Sequence, residues 1–213
     1  MIKLMKYLKR SAGYIVLIIA LLFLQAYCDL SLPNYTSNII NVGIQQNGIE
    51  DSVPEKIRKT SMDSLKLFME EDDAKTVDGF YEEEGDDLVL KDKISKKDRE
   101  ELNDIFGKPM VIVSTLTSDN EESKAALAKM GIPEGTDPPA EALAAMKEQV
   151  GEKIDKMQES IITQAGVSYV RAEYEAMGED VDAIQMDYMK STGIRMVLMA
   201  FVTMMAAVCV VFL

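Results

Sequence analysis

The chain has 213 residues, of which 47% are hydrophobic and 28% are charged, and its formal net charge is -13. These values suit one soluble domain or a mixed membrane protein equally well. Residues 49–190 contain 18 basic and 35 acidic side chains, and this acidic excess excludes a nucleic-acid partner. Because the sequence has no histidine, a histidine metal site, a Ser-His-Asp triad and a Cys-His pair are all excluded.

Nucleotide-binding fingerprints are missing as well, since the sequence has neither a GxxxxGK[ST] phosphate loop nor a GxGxxG motif. The two cysteines, Cys28 and Cys209, lie in the apolar ends of the chain, and residues 49–190 contain none. A disulfide framework is therefore excluded, and the middle of the chain must fold around its own core. We expect no catalytic, cofactor-binding or metal-binding residue in this chain.

The chain begins with a basic segment, because residues 1–10 combine three lysines and one arginine with regularly spaced apolar residues. This pattern predicts a short elbow helix at a membrane surface, and the alternative is a simple basic flank. In either case, positive charge beside a first span keeps the amino terminus in the cytoplasm. We therefore expect residues 49–190 to lie outside the cell membrane.

Residues 11–48 are predicted to form a first membrane helix with an amphipathic outer extension. Between residues 12 and 26 the one clearly polar side chain is Gln25, and the run continues to Leu32. That length reaches the roughly 20 residues that a helix needs to cross a bilayer. A cleaved secretory signal peptide is the alternative, but Tyr27 and Cys28 are poor residues for a cleavage site. Tyr27 also disfavours a lipoprotein signal with acylation at Cys28.

Two helical faces follow the apolar run. One face carries amides at spacings of 4, 3 and 4, namely Asn34, Asn38, Asn41 and Gln45. The other face carries Tyr35, Ile39 and Val42. This amphipathic pattern predicts that the helix continues beyond the lipid, with Pro33 removing one backbone hydrogen bond and allowing a kink.

Residues 49–190 form the acidic block. Its first half contains several residues that typically begin or end helices and strands. A helix is predicted over residues 54–72, with Pro54 in its first turn. Residues 80–90 predict a small hairpin around Gly85, whose EEEGDD core fits a solvated turn better than a calcium loop. A helix is expected over residues 95–106, ending at Gly107 and Pro109, and a short strand over residues 110–113.

The second half is predicted to be helical. Ser118 and Glu121 form a capping box before a helix that Gly131 closes. A longer helix is expected to begin at Asp137 and Pro138, with an apolar stripe that runs from residue 143 to residue 161. A further helix after residue 166 is interrupted at Gly178.

From residue 180 onward the periodicity leads without a loop signal into residues 191–213, a second apolar span. The chain stops inside this span without a basic flank, so we expect it to be a fragment of a longer protein. The sequence as a whole predicts a mainly α protein. Two transmembrane helices flank a mostly helical extracytoplasmic domain that contains a small β-hairpin.

Three segments together carry a family resemblance. They are KLMKYLKR at residues 3–10, the apolar span, and LPNYTSNIINVGIQQNGIE at residues 32–50. They resemble the start of the transmembrane domain of bacterial ABC exporters of the multidrug type, in which the first helix ends in a pattern like IIDxGI. The likeness is strongest to Firmicute permease/ATP-binding proteins with an enlarged extracellular insertion between helices one and two. TGIRMVLMAF at residues 192–201 resembles the start of their second helix.

The resemblance implies a full-length protein with six membrane helices, a nucleotide-binding domain that uses ATP and magnesium, and a second half-transporter as partner, identical or different. Its cargo would be a drug, a peptide or a lipid-like molecule. The phosphate loop, the signature motif and the acidic catalytic residues of the family are missing here, so no ATP-site residue can be assigned and this fragment is not itself an enzyme. By the same resemblance, the transport-pathway residues are expected to be Asn34, Asn38 and Asn41.

Two other classes of protein share this organisation. A sensor histidine kinase or chemoreceptor also has two spans around an extracellular helical domain, but the amide face after Pro33 favours a helix beside an aqueous cavity. A membrane-anchored adhesin or structural protein is the remaining alternative, and shared architecture alone is weak evidence for any of the three.

The topology can be tested by labelling single cysteines in whole cells, in a background in which Cys28 and Cys209 are replaced by alanine. If residues 49–190 are extracytoplasmic, Glu83→Cys and Asp137→Cys should react with a membrane-impermeant thiol reagent, because the basic flank holds the amino terminus inside. Labelling that requires cell lysis would contradict the predicted topology.

Overall fold

The computed structural model describes residues 12–117, 154 and 157–212. Within these residues the chain is mainly helical, with six α-helices, one π-helix and one three-stranded sheet. The predicted fold class is confirmed. The chain divides into two compact units, one made of Met1–Gly48 with Asp182–Leu213 and the other of Ile49–Val181.

The first unit contains the two apolar helices. Helix α1 spans Ala12–Asn38 and passes without a break into a π-helix, Ile39–Gln45, so the predicted continuation beyond Pro33 is confirmed. Helix α6 spans Val181–Phe212. Both are long and apolar enough to cross a membrane, and their most apolar stretches are almost entirely exposed in the isolated chain. The predicted basic elbow, residues 1–10, lies outside the described residues.

Two glycines allow close contact within this unit. The side-chain amide Nε2 of Gln185 donates a hydrogen bond to the carbonyl oxygen of Gly43 at 2.6 Å. Gly48 has a φ of 81°, and a Cβ added there would lie 2.9 Å from Cα of Gln185. A side chain at residue 48 would therefore be strained by its backbone conformation and would also collide with α6.

The sheet of the second unit contains the predicted hairpin and one strand more. Strand β1 spans Lys56–Arg58, β2 spans Tyr81–Glu84 and β3 spans Asp87–Leu90, in the antiparallel order β1-β3-β2. Gly85 begins the two-residue loop between β2 and β3 with a φ of 66°, the conformation that favours glycine in a tight hairpin. The predicted hairpin around Gly85 is confirmed.

The prediction of a single helix over residues 54–72 is wrong in both the start and the length of the helix. Strand β1 occupies residues 56–58, where Ile57 is fully buried and pairs with Leu88. Helix α2 follows as Lys59–Lys66, and α3 begins separately as Glu71–Phe80. Ile57, Leu65, Phe68 and Met69 have the spacing of one helical face and are all buried. They reach the core from a strand, a helix and a connection, because sheet pairing overrides local helical periodicity.

Helix α4, Lys96–Thr117, begins as predicted, since the backbone N–H of Asp98 donates to Oγ of Ser95 at 3.2 Å. Its predicted end at Gly107 and Pro109 is wrong, and so is the strand over residues 110–113. The helix runs through both residues and carries a continuously buried stretch at residues 110–113. A helix buried on all sides is apolar on all sides, so this stretch has no helical period in the sequence.

Helix α5 spans Glu159–Met177 and ends at Gly178 as predicted. Gly178 is left-handed, with a φ of 78°, and its N–H donates to the Glu175 carbonyl at 3.1 Å. The N–H of Glu179 donates to the Tyr174 carbonyl at 2.9 Å, which completes a Schellman motif.

The stripe predicted to run as one helix to residue 161 is interrupted. Met157 and Gln158 lie outside any helix, and Gln158 has the extended conformation of an amino-terminal cap. The capping box at Ser118 and Glu121 and the helix that opens at Asp137 lie outside the described residues.

Gly166 is closely packed and Gly79 is not, so alanine substitutions at these two glycines should have opposite effects on stability. A Cβ at Gly166 would lie 2.4 Å from Oγ of the buried Ser52, whereas nothing lies within 4 Å of a Cβ at Gly79 in α3. We expect Gly166→Ala to lower the free energy of unfolding by about 1–3 kcal/mol through overpacking. Gly79→Ala should raise it by up to about 1 kcal/mol, because alanine is the better helix former.

Urea unfolding followed by circular dichroism would measure both changes. Ser52→Gly should rescue Gly166→Ala, because it removes the two side-chain atoms that approach residue 166 most closely. Equal stabilisation by both alanine substitutions would show that the predicted collision does not occur.

Candidate functional site

The three asparagines predicted to border a transport pathway lie on the exposed side of the first helix. Asn34 and Asn38 belong to α1 and Asn41 belongs to the π-helix, and all three are exposed. The residues predicted for the other face are partly covered, namely Tyr35, Ile39 and Val42. The outer part of this helix thus has one polar exposed side and one partly packed side.

The π-helix was not predicted, and it changes the spacing of residues along the outer part of the first helix. The N–H of Gln46 donates to the Asn41 carbonyl at 3.1 Å, five residues back, and the N–H of Gly48 donates to the Val42 carbonyl at 2.8 Å. Nδ2 of Asn41 donates to Oγ of Ser37 at 3.1 Å. Such wide turns occur often at functional sites.

The second unit contains a groove of about 700 Å³ formed by β1, α2, α4 and α5. Most of its polar lining residues carry a hydroxyl group, and these are Thr60, Ser61, Ser64, Ser114, Ser168 and Tyr169. The remaining lining residues are the apolar Val113, Ala165 and Ala172 and the charged pair Arg58 and Glu173. The volume falls within the range of about 300–1,000 Å³ that is usual for small-molecule sites.

An ion pair closes one side of this groove. Arg58 donates from Nε to Oε1 of Glu173 at 2.8 Å and from Nη2 to Oε2 at 2.7 Å. The backbone N–H of Arg58 also donates to Oε1 at 3.1 Å, and Oγ of Ser61 donates to Oε2 at 2.9 Å. Each carboxylate oxygen therefore accepts two hydrogen bonds, which suits a side chain that is only 5% exposed.

This geometry sets the ionisation of the pair. Burial works to raise the pKa of the Glu173 carboxyl, but the hydrogen bonds from Arg58 and Ser61 outweigh it, so the pKa lies below its ordinary value of 4.5. The hydrogen bond to Glu173 raises the pKa of Arg58. Burial raises the pKa of Tyr169 to about 12, so its phenol is neutral in the groove.

A second ion cluster holds the other end of the segment that leads into β1. Arg99 of α4 donates from Nε to Oδ2 of Asp51 at 2.6 Å and from Nη1 to Oε1 of Glu55 at 2.7 Å. Arg99 and Asp51 also line a smaller groove of about 450 Å³, whose other lining residues are mainly acidic. Among the described residues, no group of three or more Cys, Asp or Glu side chains is arranged to hold a metal ion.

Sequence reasoning identified the asparagine face but not the groove. One signal was present, because Glu173 shares a helical face with Gly166, Val170 and Tyr174. Val170 and Tyr174 are buried, and a carboxylate on such a face must find a partner. The partner lies 115 residues earlier in the chain, so no local pattern points to Arg58.

Comparison with known proteins gives no match: no protein-family model fits the sequence, and neither a curated protein nor a solved structure is similar to it.

Loss of the Glu173 charge should destabilise the second unit. We expect Glu173→Gln to lower the free energy of unfolding by about 2–3 kcal/mol, because it weakens charged hydrogen bonds at a buried site. Glu175→Gln is the matched control, because Glu175 pairs with Arg171 on the exposed side of the same helix. Its effect should not exceed about 0.5 kcal/mol.

The same variants predict a pH dependence. Because the folded-state pKa of Glu173 is lowered, its contribution to stability is present above about pH 4.5 and is lost as the pH falls through the folded-state pKa. Urea unfolding monitored at several pH values should therefore show a shallower acid loss in Glu173→Gln than in the parent protein. Identical slopes, or equal effects of both variants, would contradict this role for the ion pair.

Proposed function

We propose that the chain is the amino-terminal part of the transmembrane domain of an ABC-type exporter. The observation that carries this proposal is the continuous helix from residue 12 to residue 45, which is about 14 residues longer than a membrane span requires. Its outer part keeps Asn34, Asn38 and Asn41 exposed.

The chemistry of the amide face supports a water-filled path. Hydrocarbon penalises amide side chains that lack partners, so lipid is an unfavourable environment for three asparagines on one face. A helix that borders an aqueous cavity between membrane helices satisfies these amides with water and packs its other side on protein. Tyr35, Ile39 and Val42 are placed for that packing.

In this function, the membrane domain alternates between inward and outward openings, and the outer part of the first helix forms one wall of the outward opening. ATP hydrolysis with magnesium takes place in a nucleotide-binding domain that residues 1–213 do not contain. A second half-transporter, identical or different, supplies the opposite wall. The cargo is a drug, a peptide or a lipid-like molecule. The acidic block, residues 49–190, lies outside the cell.

A sensor histidine kinase or chemoreceptor is the second candidate, and the hydroxyl-lined groove of the second unit favours it. An extracellular domain with a groove of this size suits a receptor that detects a small molecule. The two functions differ in what the gene encodes beyond residue 213. An exporter requires further membrane helices and a GxxxxGK[ST] loop, whereas a receptor requires a HAMP-like helix pair.

The asparagine face predicts a transport defect in the full-length protein. Asn38→Leu should reduce export about tenfold, while expression and ATP binding stay near those of the parent, because leucine removes a water-facing amide from the path. Thr36→Leu is the matched control, since Thr36 is also exposed but lies on another side of the helix. Transport by Asn38→Leu at the parental rate would show that the amide face is only solvated.

Ile39→Asp separates a folding defect from a transport defect. Ile39 lies on the partly covered side, so a charge there should reduce the amount of folded protein rather than the rate per folded molecule. Size-exclusion chromatography in detergent would measure the folded amount for each variant.

A further inference from the structure

The groove of the second unit has a hydrogen-bonding capacity that selects among ligands. Two of its serines donate their hydroxyl hydrogen within their own helices, Ser64 to the Thr60 carbonyl at 2.9 Å and Ser168 to the Gln164 carbonyl at 2.9 Å. Each hydroxyl oxygen keeps a lone pair that can accept a hydrogen bond. Toward a ligand, these serines therefore act as acceptors.

The groove also offers donors. The guanidinium of Arg58 has five N–H groups, and Glu173 accepts from two of them. The Arg58 side chain is 43% exposed, so donors remain for a ligand in the groove. A ligand that fits must both donate to the serines and accept from the arginine, which is the capacity of an alcohol hydroxyl.

Charge argues against ionic ligands. The charge of Arg58 is balanced by Glu173, and residues 49–190 carry 35 acidic side chains against 18 basic ones, so anions are disfavoured. Among the described lining residues, Glu173 is the one carboxylate, and both of its oxygens already accept two hydrogen bonds each, so cations are disfavoured as well. The groove is therefore best matched by an uncharged ligand.

The apolar lining residues favour a ligand that has an apolar face. Val113, Ala165 and Ala172 carry no polar side-chain atom, and the half-buried ring of Tyr169 lies beside them. A sugar ring has an apolar C–H face and a rim of hydroxyl groups, and this combination matches an apolar wall beside hydroxyl acceptors and a guanidinium.

We propose that this groove is a binding site for a neutral saccharide of about disaccharide size. The serine oxygens of Ser64 and Ser168 accept hydrogen bonds from the sugar, Arg58 donates to it, and Tyr169 packs against a ring face. This binding does not depend on the proposed transport function, because the described residues that line the groove all belong to the second unit.

The test uses the full 213-residue chain in lipid nanodiscs and three neutral disaccharides as probes: maltose, cellobiose and N,N′-diacetylchitobiose. Saturation-transfer NMR and isothermal titration calorimetry would detect and quantify binding. We expect saturable binding of at least one probe. Ala172→Leu should weaken it about tenfold or more, because the added atoms occupy the groove.

Ala176→Leu is the matched control. Ala172 and Ala176 are both exposed and lie one turn apart on α5, but only Ala172 lines the groove. The control variant should bind the saccharide as the parent does. Ser168→Ala should also weaken binding, because it removes an acceptor without adding bulk.

Three results would overturn the proposal. One is failure of all three disaccharides to bind with saturation, and another is equal weakening by Ala172→Leu and Ala176→Leu. The third is saturable binding of spermidine that Ala172→Leu blocks while no saccharide binds, which would assign the groove to a cationic ligand. Circular dichroism of each variant would confirm that the helices are retained, and the Ser168→Ala result covers the case in which Ala172→Leu does not fold.

Discussion

The ion pair between Glu173 and Arg58 is the interaction on which the architecture of the second unit depends. A charged group that is 5% exposed is unfavourable unless its oxygens are satisfied, and Arg58 and Ser61 satisfy both of them. One of these hydrogen bonds comes from the backbone of β1, so the position of the strand is tied to α5. The ion pair thus fixes where the short sheet meets the helices, and it also forms one side of the groove.

The segment before β1 is held in the same manner by side chains from distant parts of the chain. The N–H of Glu55 donates to the hydroxyl of Tyr174 at 2.8 Å, and the hydroxyl of Tyr81 donates to the Pro54 carbonyl at 2.7 Å. Oδ1 of Asn103 accepts from the N–H of Ser52 at 2.9 Å. The carbonyl of Glu55 accepts from the N–H of Leu90 in β3 at 2.8 Å, and the other backbone groups named here are satisfied by side chains.

The elements that could be predicted from sequence are those whose signals are local. The long apolar runs, the hairpin at Gly85 and the helix ends at Ser95 and Gly178 each depend on a few adjacent residues, and all are present in the structure. The errors arose where distant packing decides the local structure. Gly107 does not end a helix but lies inside α4, where its missing side chain leaves room for Ile162 of α5, whose Cγ2 would lie 2.8 Å from an added Cβ.

The candidate sites follow the same division. The asparagine face lies within eight residues of one helix and could be predicted from their spacing. The π-helix, whose Gly43 carbonyl accepts a hydrogen bond from Gln185 of α6, could not be predicted in this way. The groove brings together residues near positions 60, 114 and 169, and no local pattern relates these three parts of the chain. A burial argument for Glu173 was the one accessible clue.

Strands β1 and β2 form the two outer edges of the sheet, and on β1 the backbone N–H of Arg58 already donates to Glu173 of α5. Strand β2 carries the exposed Glu82, Glu83 and Glu84, and β1 carries Lys56 and Arg58. The hydrogen bond from Lys59 lowers the pKa of Glu83, so this carboxylate keeps its charge further into the acid range. Closely spaced charges repel an incoming strand, so protection against edge-to-edge aggregation is built into the strands themselves.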